Sequence, residues 1–180
     1  PRDRHPIGRA RHVVQADLLA KADGRRIAPV LAADAELQVR PPRPFTPGMD
    51  AIGTIERVAD DVRGLEVGDR VYCDSYIEAP RADGDGDYVF AGCFAISANS
   101  GPLLAQWPNG ALATHMVLPA ECLTPVELAL ARTSAETLCR LGWIGTAHAA
   151  FEKTHFQPGQ SVAVLGATGL LGVSTILVAL

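Results

Sequence analysis

The stretch that decides the fold is VAVLGATGLLG, which spans residues 162–172. It begins with β-branched residues, passes through glycines, and continues into the uncharged segment 173–180. This order predicts a buried strand at residues 161–165, a tight loop, and an apolar helix at residues 173–180. Glycines in such a loop permit a close approach to a pyrophosphate, which the free N–H groups of the next helix would bind. The stretch therefore predicts the start of a dinucleotide-binding unit.

The glycine spacing departs from the dinucleotide fingerprint GxGxxG at one place. Ala167 occupies the first glycine position, whereas Gly169 and Gly172 occupy the other two. A glycine triplet also fits close packing of a helix on a strand without any cofactor. An acidic residue for the ribose is expected about 20 residues beyond the first glycine, and the chain ends at Leu180 before that point. The choice between NAD and NADP therefore stays open. The candidate cofactor-binding residues are Gly166, Ala167, Thr168, Gly169, Leu170, Leu171 and Gly172.

The same region has a second interpretation as a membrane span. Residues 161–180 contain no charged side chain and have the length of a spanning helix. However, the segment opens with Val162 and Val164 in alternation, and a turn-forming Pro158-Gly159 pair precedes it. These features favour a buried strand, loop and helix over a membrane span.

Composition places the chain among globular proteins. It has 180 residues, of which 48% are hydrophobic and 20% charged, with a formal net charge of −4. This charge gives no reason to expect nucleic acid or a membrane surface as partner. The charge is uneven, because residues 1–40 hold eight Lys and Arg against five Asp and Glu, whereas the rest holds eight against fifteen. Four cysteines at spacings of 20, 29 and 17 residues form no CxxC pair, which favours reduced thiols in the cytoplasm.

Before the glycine stretch, the sequence pattern predicts first a β-rich region and then a helix. Residues 1–34 show no clear period and are assigned no structure. Residues 51–59, 70–74 and 111–118 are predicted strands, because β-branched side chains and alternation dominate there. Aspartates and glycines mark residues 82–87 as a solvated loop.

A helix is predicted from the region of residue 133 to about residue 155. Thr133 and Glu136 have the spacing of a capping box. Apolar residues then recur at helical spacing, at Leu138, Leu141, Ile144, Ala147 and Phe151. A turn at residues 157–160 ends the helical pattern, so the chain is expected to be a mixed α and β protein.

Several blocks of sequence resemble, in the same order, the medium-chain dehydrogenase/reductase superfamily. Residues 42–55 resemble its PxxPGHExxGxV signature, and residues 64–71 its GxxxGDRV stretch. Further along, residues 107–113 resemble its dGayAEy strand and residues 145–147 its GvTAy segment. Finally, residues 158–169 are similar to the entry of its nucleotide-binding domain. Blocks in a conserved order carry more weight than any single motif.

The resemblance implies a GroES-like irregular β-barrel followed by the first β–α unit of a Rossmann-type domain. Residues 1–34 would be an N-terminal segment of uncertain type, and residues 35–125 the GroES-like domain that carries the catalytic cleft. Connecting helices would follow at residues 126–160, and the NAD(P)-binding domain would begin at residues 161–180. The chain would then hold only the beginning of that second domain.

The resemblance also locates a site and a departure from the family pattern. Met49 stands where zinc-dependent members have a His ligand, and thioether sulfur is a poor zinc ligand beside imidazole or thiolate. Gly142 stands at the place of a cysteine ligand, while Cys139 falls three residues earlier. Zinc is therefore not expected, and no metal ligand is assigned. Met49 and Asp50 are the candidates for the substrate cleft, and Thr146 is a further candidate for cofactor contact.

Three functional hypotheses follow. The first is an NAD- or NADP-dependent oxidoreductase that transfers hydride to or from a carbonyl or alcohol, a quinone or an activated alkene, without zinc. The second is a truncated or pseudo-enzyme chain that serves as a non-catalytic interaction module. The third is a zinc alcohol dehydrogenase whose ligands lie elsewhere. The expected partners are a small-molecule substrate and a second copy in a homodimer, in the cytoplasm.

Overall fold

A computed structural model describes residues 12–16, 39–79, 86–95 and 97–180 of the chain. The chain divides into two compact units, Pro1–Ala135 and Glu136–Leu180. Strands and helices are both present, which confirms the predicted mixed α and β class. Within the N-terminal segment that was assigned no structure, His12–Ala16 forms a strand, and the rest lies outside the described residues.

Antiparallel strands form the framework of the first unit. The strands of the described residues are β1 His12–Ala16, β2 Ala51–Arg57, β3 Arg70–Cys73, β4 Tyr76–Ala79, β5 Asp87–Phe90, β6 His115–Leu118 and β7 Leu123–Pro125. Five of them make a sheet in the order β6-β1-β2-β3-β7, whereas β4 and β5 pair with each other.

The three strands that the sequence predicts before residue 120 are found, with changes at their ends. The strand predicted at residues 51–59 is β2, and the one at residues 70–74 is β3. The strand predicted at residues 111–118 forms only in its second half, as β6. Its first half instead pairs with the turn before β2, where the N–H groups of Ala111 and Leu112 donate to Gly48 and Pro47.

A turn at residues 66–69 leads into β3 and helps to set its register with β2. The Gly68 N–H donates to the Ile55 carbonyl at 2.9 Å, and the Asp69 carboxylate accepts the Glu66 N–H at 2.8 Å. Gly68 has a φ of 97°, a conformation that favours glycine. The resulting register places Ile52 opposite Tyr72.

The core of the first unit is a cluster of apolar side chains between the sheet, the β4–β5 hairpin and a short helix, α1 (Gly101–Gln106). Burial of each large aliphatic side chain contributes roughly 1.5–3 kcal/mol relative to exposure. Its largest fully buried members are Ile55, Val71, Ile77, Val89, Leu104 and Leu118. Short 3₁₀ turns lie at Ala98–Ser100, Ala120–Cys122 and Leu128–Leu130.

The long helix expected after residue 133 is broken into two pieces. α2 spans Ala135–Leu138, and α3 spans Leu141–Thr154. The capping box at Thr133 is wrong by one residue, because helix begins at Ala135. The end near residue 155 is confirmed: His155 adopts a left-handed conformation with φ 52° and closes α3 by donating its N–H to the Phe151 and Glu152 carbonyls.

The predicted strand at residues 161–165 is wrong. These residues form no strand, because no strand in the described part of the chain pairs with them, and a strand exists only with a hydrogen-bonded neighbour. Val162 is 44% exposed and Leu165 is 97% exposed. The helix after the loop, α4, spans Leu170–Ala179 and so begins three residues earlier than predicted.

Helix α4 packs on α3 within the second unit. Gly172 and Ser174 are buried, whereas Val173 and Leu177 are 44% and 60% exposed. The apolar helix thus keeps uncovered side chains, as expected for a segment that is apolar on all sides. Within the described residues, none of the helices has both the length and the apolar character required to cross a membrane.

Candidate functional site

A glycine turn and a neighbouring backbone segment hold the two cleft candidates, Met49 and Asp50, in place. Gly48, immediately before them, has a φ of 110°. The carbonyl of Gly48 accepts the Ala111 N–H at 3.1 Å, and the carbonyl of Thr46 accepts the Gly110 N–H at 2.7 Å. The structure thereby joins two of the family-like blocks, residues 42–55 and 107–113, through their backbones.

Asp50 forms a hydrogen bond that the sequence did not predict. The hydroxyl of Tyr72 donates to Asp50 Oδ1 at 3.0 Å. Tyr72 is buried, whereas Asp50 is half-buried. The contact follows from the register, because Asp50 lies two residues before Ile52, which pairs with Tyr72, and side chains two residues apart share a face.

Partial burial makes Asp50 a weaker acid than an ordinary aspartate. Desolvation raises the pKa of its carboxyl group above the usual 3.8, and the negative charge of Asp74 raises it further. The hydrogen bond from Tyr72 opposes this shift, because it stabilises the carboxylate. Asp50 is therefore a carboxyl group placed to hold a proton more tightly than a solvated aspartate does.

The shift at Asp50 predicts a pH-dependent effect of Asp50→Asn on stability. A raised folded-state pKa contributes stability that is complete below the unfolded pKa and is lost as the pH rises through the folded pKa. Asp50→Asn removes the ionisation, so we expect the variant to be more stable than the native chain at neutral pH. This advantage should shrink as the pH falls towards 3.8. Urea unfolding at several pH values measures the difference in unfolding free energy between the variant and the native chain. The exposed Asp61→Asn is the control, and an equal pH trend in both variants would contradict the assignment.

The glycine loop of the second unit forms a compact turn at the start of α4. Gly166 has a φ of 75°, and its carbonyl accepts the Gly169 N–H at 3.0 Å. Gly172 packs on this turn so closely that a Cβ on it would overlap the Gly166 carbonyl oxygen and lie 2.7 Å from Ala167 Cα. Thr168 is exposed in the same turn. The four residues 166–169 therefore lie against the first turn of the helix.

The N-terminus of α4 carries no cap from a side chain. Gly169 is the N-cap residue, and the first turn contains no acidic residue. The N–H groups of Leu170, Leu171 and Gly172 have no partner inside the helix, as at the start of any α-helix. These donors and the positive end of the helix dipole form an environment that favours an anion.

Thr146, the remaining cofactor candidate, lies on the exposed side of α3. Its hydroxyl donates to the Gly142 carbonyl at 2.8 Å, one helical turn earlier. The hydroxyl oxygen can still accept a hydrogen bond from a ligand. Thr146 and the glycine loop belong to the second unit, whereas Met49 and Asp50 belong to the first.

In the described part of the chain, the buried thiol of Cys122 and the surface histidine His115 fit structural roles. Burial, with smaller effects of Glu121 and Asp74, raises the pKa of Cys122 to about 12, so its thiol stays protonated. His115 contacts Glu56 at 3.2 Å on the surface, which fits a structural histidine. Across the described residues, no group of three His, Cys, Asp or Glu side chains could hold a metal ion.

A concave feature lies beside β6. It has a volume of about 230 Å³ and is lined by residues that include Trp107, Asn109 and His115. The indole Nε1 of Trp107 is buried and has no hydrogen-bond partner. The family-like block at residues 107–113 contributes to this lining, but the sequence did not predict a cavity there, and the nitrogen is inaccessible to solvent.

Comparison with known proteins gives matches over most of the chain. Residues 17–128 match the family described as the alcohol dehydrogenase GroES-like domain. A 2-methylene-furan-3-one reductase from Solanum lycopersicum is 30% identical over 148 residues, which cover 82% of this chain and 30% of the relative. A quinone oxidoreductase from Rattus norvegicus is 32% identical over 136 residues, which cover 76% of this chain and 32% of the relative.

Solved structures agree at the level of the fold. A thermostable alcohol dehydrogenase from Pyrobaculum aerophilum aligns with a TM-score of 0.64 and 21% identity, over 96% of this chain and 48% of that one. The chain thus spans about a third of the length of the curated relatives and about half that of the solved structure.

Proposed function

Because this chain belongs to the medium-chain dehydrogenase/reductase superfamily through its alcohol dehydrogenase GroES-like domain, we propose that it works in an NAD(P)-dependent oxidoreductase. The reaction is hydride transfer between the nicotinamide and a small organic substrate. In this assignment the first unit provides the substrate cleft at Met49 and Asp50, and the second unit provides the start of the cofactor site.

The observation that carries the proposal is the geometry of the glycine loop. A pyrophosphate needs several converging N–H donors and room for close approach. The start of α4 offers uncapped N–H groups at Leu170, Leu171 and Gly172 with no carboxylate in the first turn. Adding a Cβ to Gly166 meets no atom within 4 Å, so the space beside that residue is open. The residues present fit a dinucleotide phosphate, and Thr146 is a further candidate contact.

When bound, the nicotinamide supplies the hydride. The chain's own contribution is to bind phosphate at the loop and to control polarity at the cleft. There, Tyr72 holds Oδ1 of Asp50 at 3.0 Å and leaves its second carboxyl oxygen for other contacts. Burial raises the pKa of Asp50, so its carboxyl group holds a proton up to a higher pH than a solvated aspartate does.

We propose that the reaction proceeds without zinc. Met49 replaces the imidazole ligand expected at that position, and its thioether competes poorly for zinc. The carboxylate of Asp50 is already engaged by Tyr72. A zinc-type alcohol dehydrogenase would need ligands other than these, and one tightly bound zinc ion per purified chain would overturn this part of the proposal.

The substrate class favoured here is a quinone or an activated alkene. The names of two relatives state reduction of a methylene-furanone and oxidoreduction of quinones. A cytoplasmic location and a homodimer complete the proposal. The location is supported by the absence of disulfides among the described cysteines.

Binding of the nicotinamide cofactor tests the proposed function directly. Titrating the 180-residue chain with NADPH and with NADH, followed by the fluorescence of the reduced nicotinamide, should give saturable binding that inorganic pyrophosphate displaces. Oxidation of the bound cofactor by a quinone or an enone at 340 nm then tests turnover. Absence of binding to either nicotinamide would contradict the proposal and favour the alternative, a non-catalytic interaction module.

A further inference from the structure

The β4–β5 hairpin has one buried and one outward face. In the antiparallel register Tyr76 pairs with Phe90, and Glu78 pairs with Tyr88. Ile77 and Val89 of the same strands point the opposite way and are fully buried in the core. Since side chains alternate along a strand, the outward face consists of Tyr76, Glu78, Tyr88 and Phe90, which we call the aromatic face.

The rings of the aromatic face form a continuous surface. The centroid of the Tyr76 ring lies 5.8 Å from that of Tyr88 and 5.5 Å from that of Phe90. The ring of Phe94 extends the row, with its centroid 5.2 Å from that of Phe90. Tyr76 is 39% exposed, and the other three rings are half-buried. Rings in this arrangement present π-electron density to a ligand.

Carboxylates give the aromatic face a negative potential. Glu78 is exposed on the face itself, and Asp74 lies next to it, with Oδ1 accepting the Tyr76 N–H at 2.9 Å. No Lys or Arg of the described residues forms an ion pair with either carboxylate. Burial raises the pKa of Tyr76, and the charges of Glu78 and Asp74 raise it further. The negative charges of Glu78 and Asp74, which disfavour ionisation of Tyr76, also attract a cation.

We propose that the aromatic face is a docking surface for an arginine-bearing segment of a partner polypeptide. A guanidinium group is planar, stacks on aromatic rings and donates hydrogen bonds to carboxylates in the same plane. The face offers both halves of this recognition, because it has rings at Tyr76 and Tyr88 and an exposed carboxylate at Glu78. A lysine ammonium would satisfy the charge but not the stacking. The surface belongs to the first unit, whereas the glycine loop belongs to the second.

Fluorescence anisotropy of a labelled peptide in which arginine alternates with glycine tests the proposal on the full chain. We expect saturable binding that weakens as salt rises and that is weaker for the matched lysine peptide. Tyr76→Leu keeps every charge and should weaken the arginine peptide by about fivefold, and Glu78→Gln should act in the same direction. Glu127→Gln, which removes an exposed carboxylate outside the hairpin, should leave the affinity unchanged.

Each contrary outcome overturns the proposal. Equal affinity of Tyr76→Leu and the native chain would show attraction by charge alone. Equal loss from Glu127→Gln and Glu78→Gln would show that the face has no special role. Binding that occurs only after deletion of residues 1–11, which contain four arginines, would assign the face to that segment of the chain itself. Circular dichroism of each variant confirms that the fold is retained before affinities are compared.

Discussion

Replacing Gly110 by alanine is expected to destabilise the first unit by about 3 kcal/mol, at the upper end of overpacking effects. A Cβ on Gly110 would overlap the Gly48 carbonyl oxygen and lie 3.0 Å from the Ala91 carbonyl oxygen. These are backbone atoms, so a rotation of side chains cannot relieve the overlap. Gly92 lies on the other side of this close approach, since a Cβ on Gly92 would overlap the Gly110 backbone.

Fluorescence of Trp107 measures this loss of stability. The chain has two tryptophans, and in a Trp143→Phe background the remaining one, Trp107, is 5% exposed and reports on the first unit. The control is Gly101→Ala, because a Cβ there would meet only Val39 Cγ1 at 3.8 Å, an ordinary contact. Similar urea midpoints for the two alanine variants would contradict the close packing seen at Gly110.

The same junction links stability to the candidate cleft. The carbonyl of Gly48 accepts the Ala111 N–H, and Met49 and Asp50 follow directly. If Gly110→Ala pushes the two segments apart, the Asp50 carboxyl group should also lose its fixed distance from Tyr72. The close glycine contacts therefore position the candidate cleft residues, Met49 and Asp50, as well as support the fold.

Local pattern was enough to predict the elements whose signal lies within a few residues. β-branched residues around Ile52 and Val71 and the turn at Gly68 define β2 and β3, and the structure has both. The helical spacing through Ala147 and the Gly159 turn define α3 and its end. In each case the side-chain pattern and the neighbouring turn residues predict the same element.

The elements that were missed depend on distant partners. β1 exists because it lies between β2 and β6, and its five residues carry little pattern of their own. The β4–β5 hairpin does show alternation, with Ile77 and Val89 inward, but each strand has only four residues. Residues 161–165 carry a strong strand pattern, yet no neighbouring strand is described for them. Strand formation is a property of the pair and cannot be decided from one segment.

In the candidate site, too, local contacts could be predicted from the sequence, whereas contacts between distant segments could not. The resemblance predicted Asp50 as a cleft residue, but its partner Tyr72 lies 22 positions away and is brought near only by the register of β2 and β3. The glycine loop, in contrast, is local, and the compact turn from Gly166 to Gly172 matches what its spacing predicts. A contact between strands depends on the register of distant segments, whereas a contact within a loop depends on residues that are close in sequence.

Replacing Gly172 by alanine is expected to open the glycine loop and to weaken nicotinamide binding by at least about tenfold, the equivalent of about 1.4 kcal/mol. The added Cβ would overlap the Gly166 carbonyl oxygen and lie 2.7 Å from Ala167 Cα. To remove the overlap, the turn at residues 166–169 must move away from α4. The N–H groups at the start of the helix and the open space beside Gly166 would then no longer face the same phosphate.

Two readouts separate the local change from the proposed function. Amide hydrogen exchange should become faster in α4 and in the turn of Gly172→Ala, while exchange in the first unit stays as in the native chain. The control, Gly145→Ala on α3, adds a Cβ that meets no atom within 4 Å and should retain both protection and NADPH affinity. Faster exchange with unchanged NADPH affinity would agree with the close packing of the loop on α4, but it would show that the loop does not bind the cofactor. Unchanged exchange would contradict the structural account itself, because alanine at position 172 cannot fit beside the Gly166 carbonyl unless the turn moves.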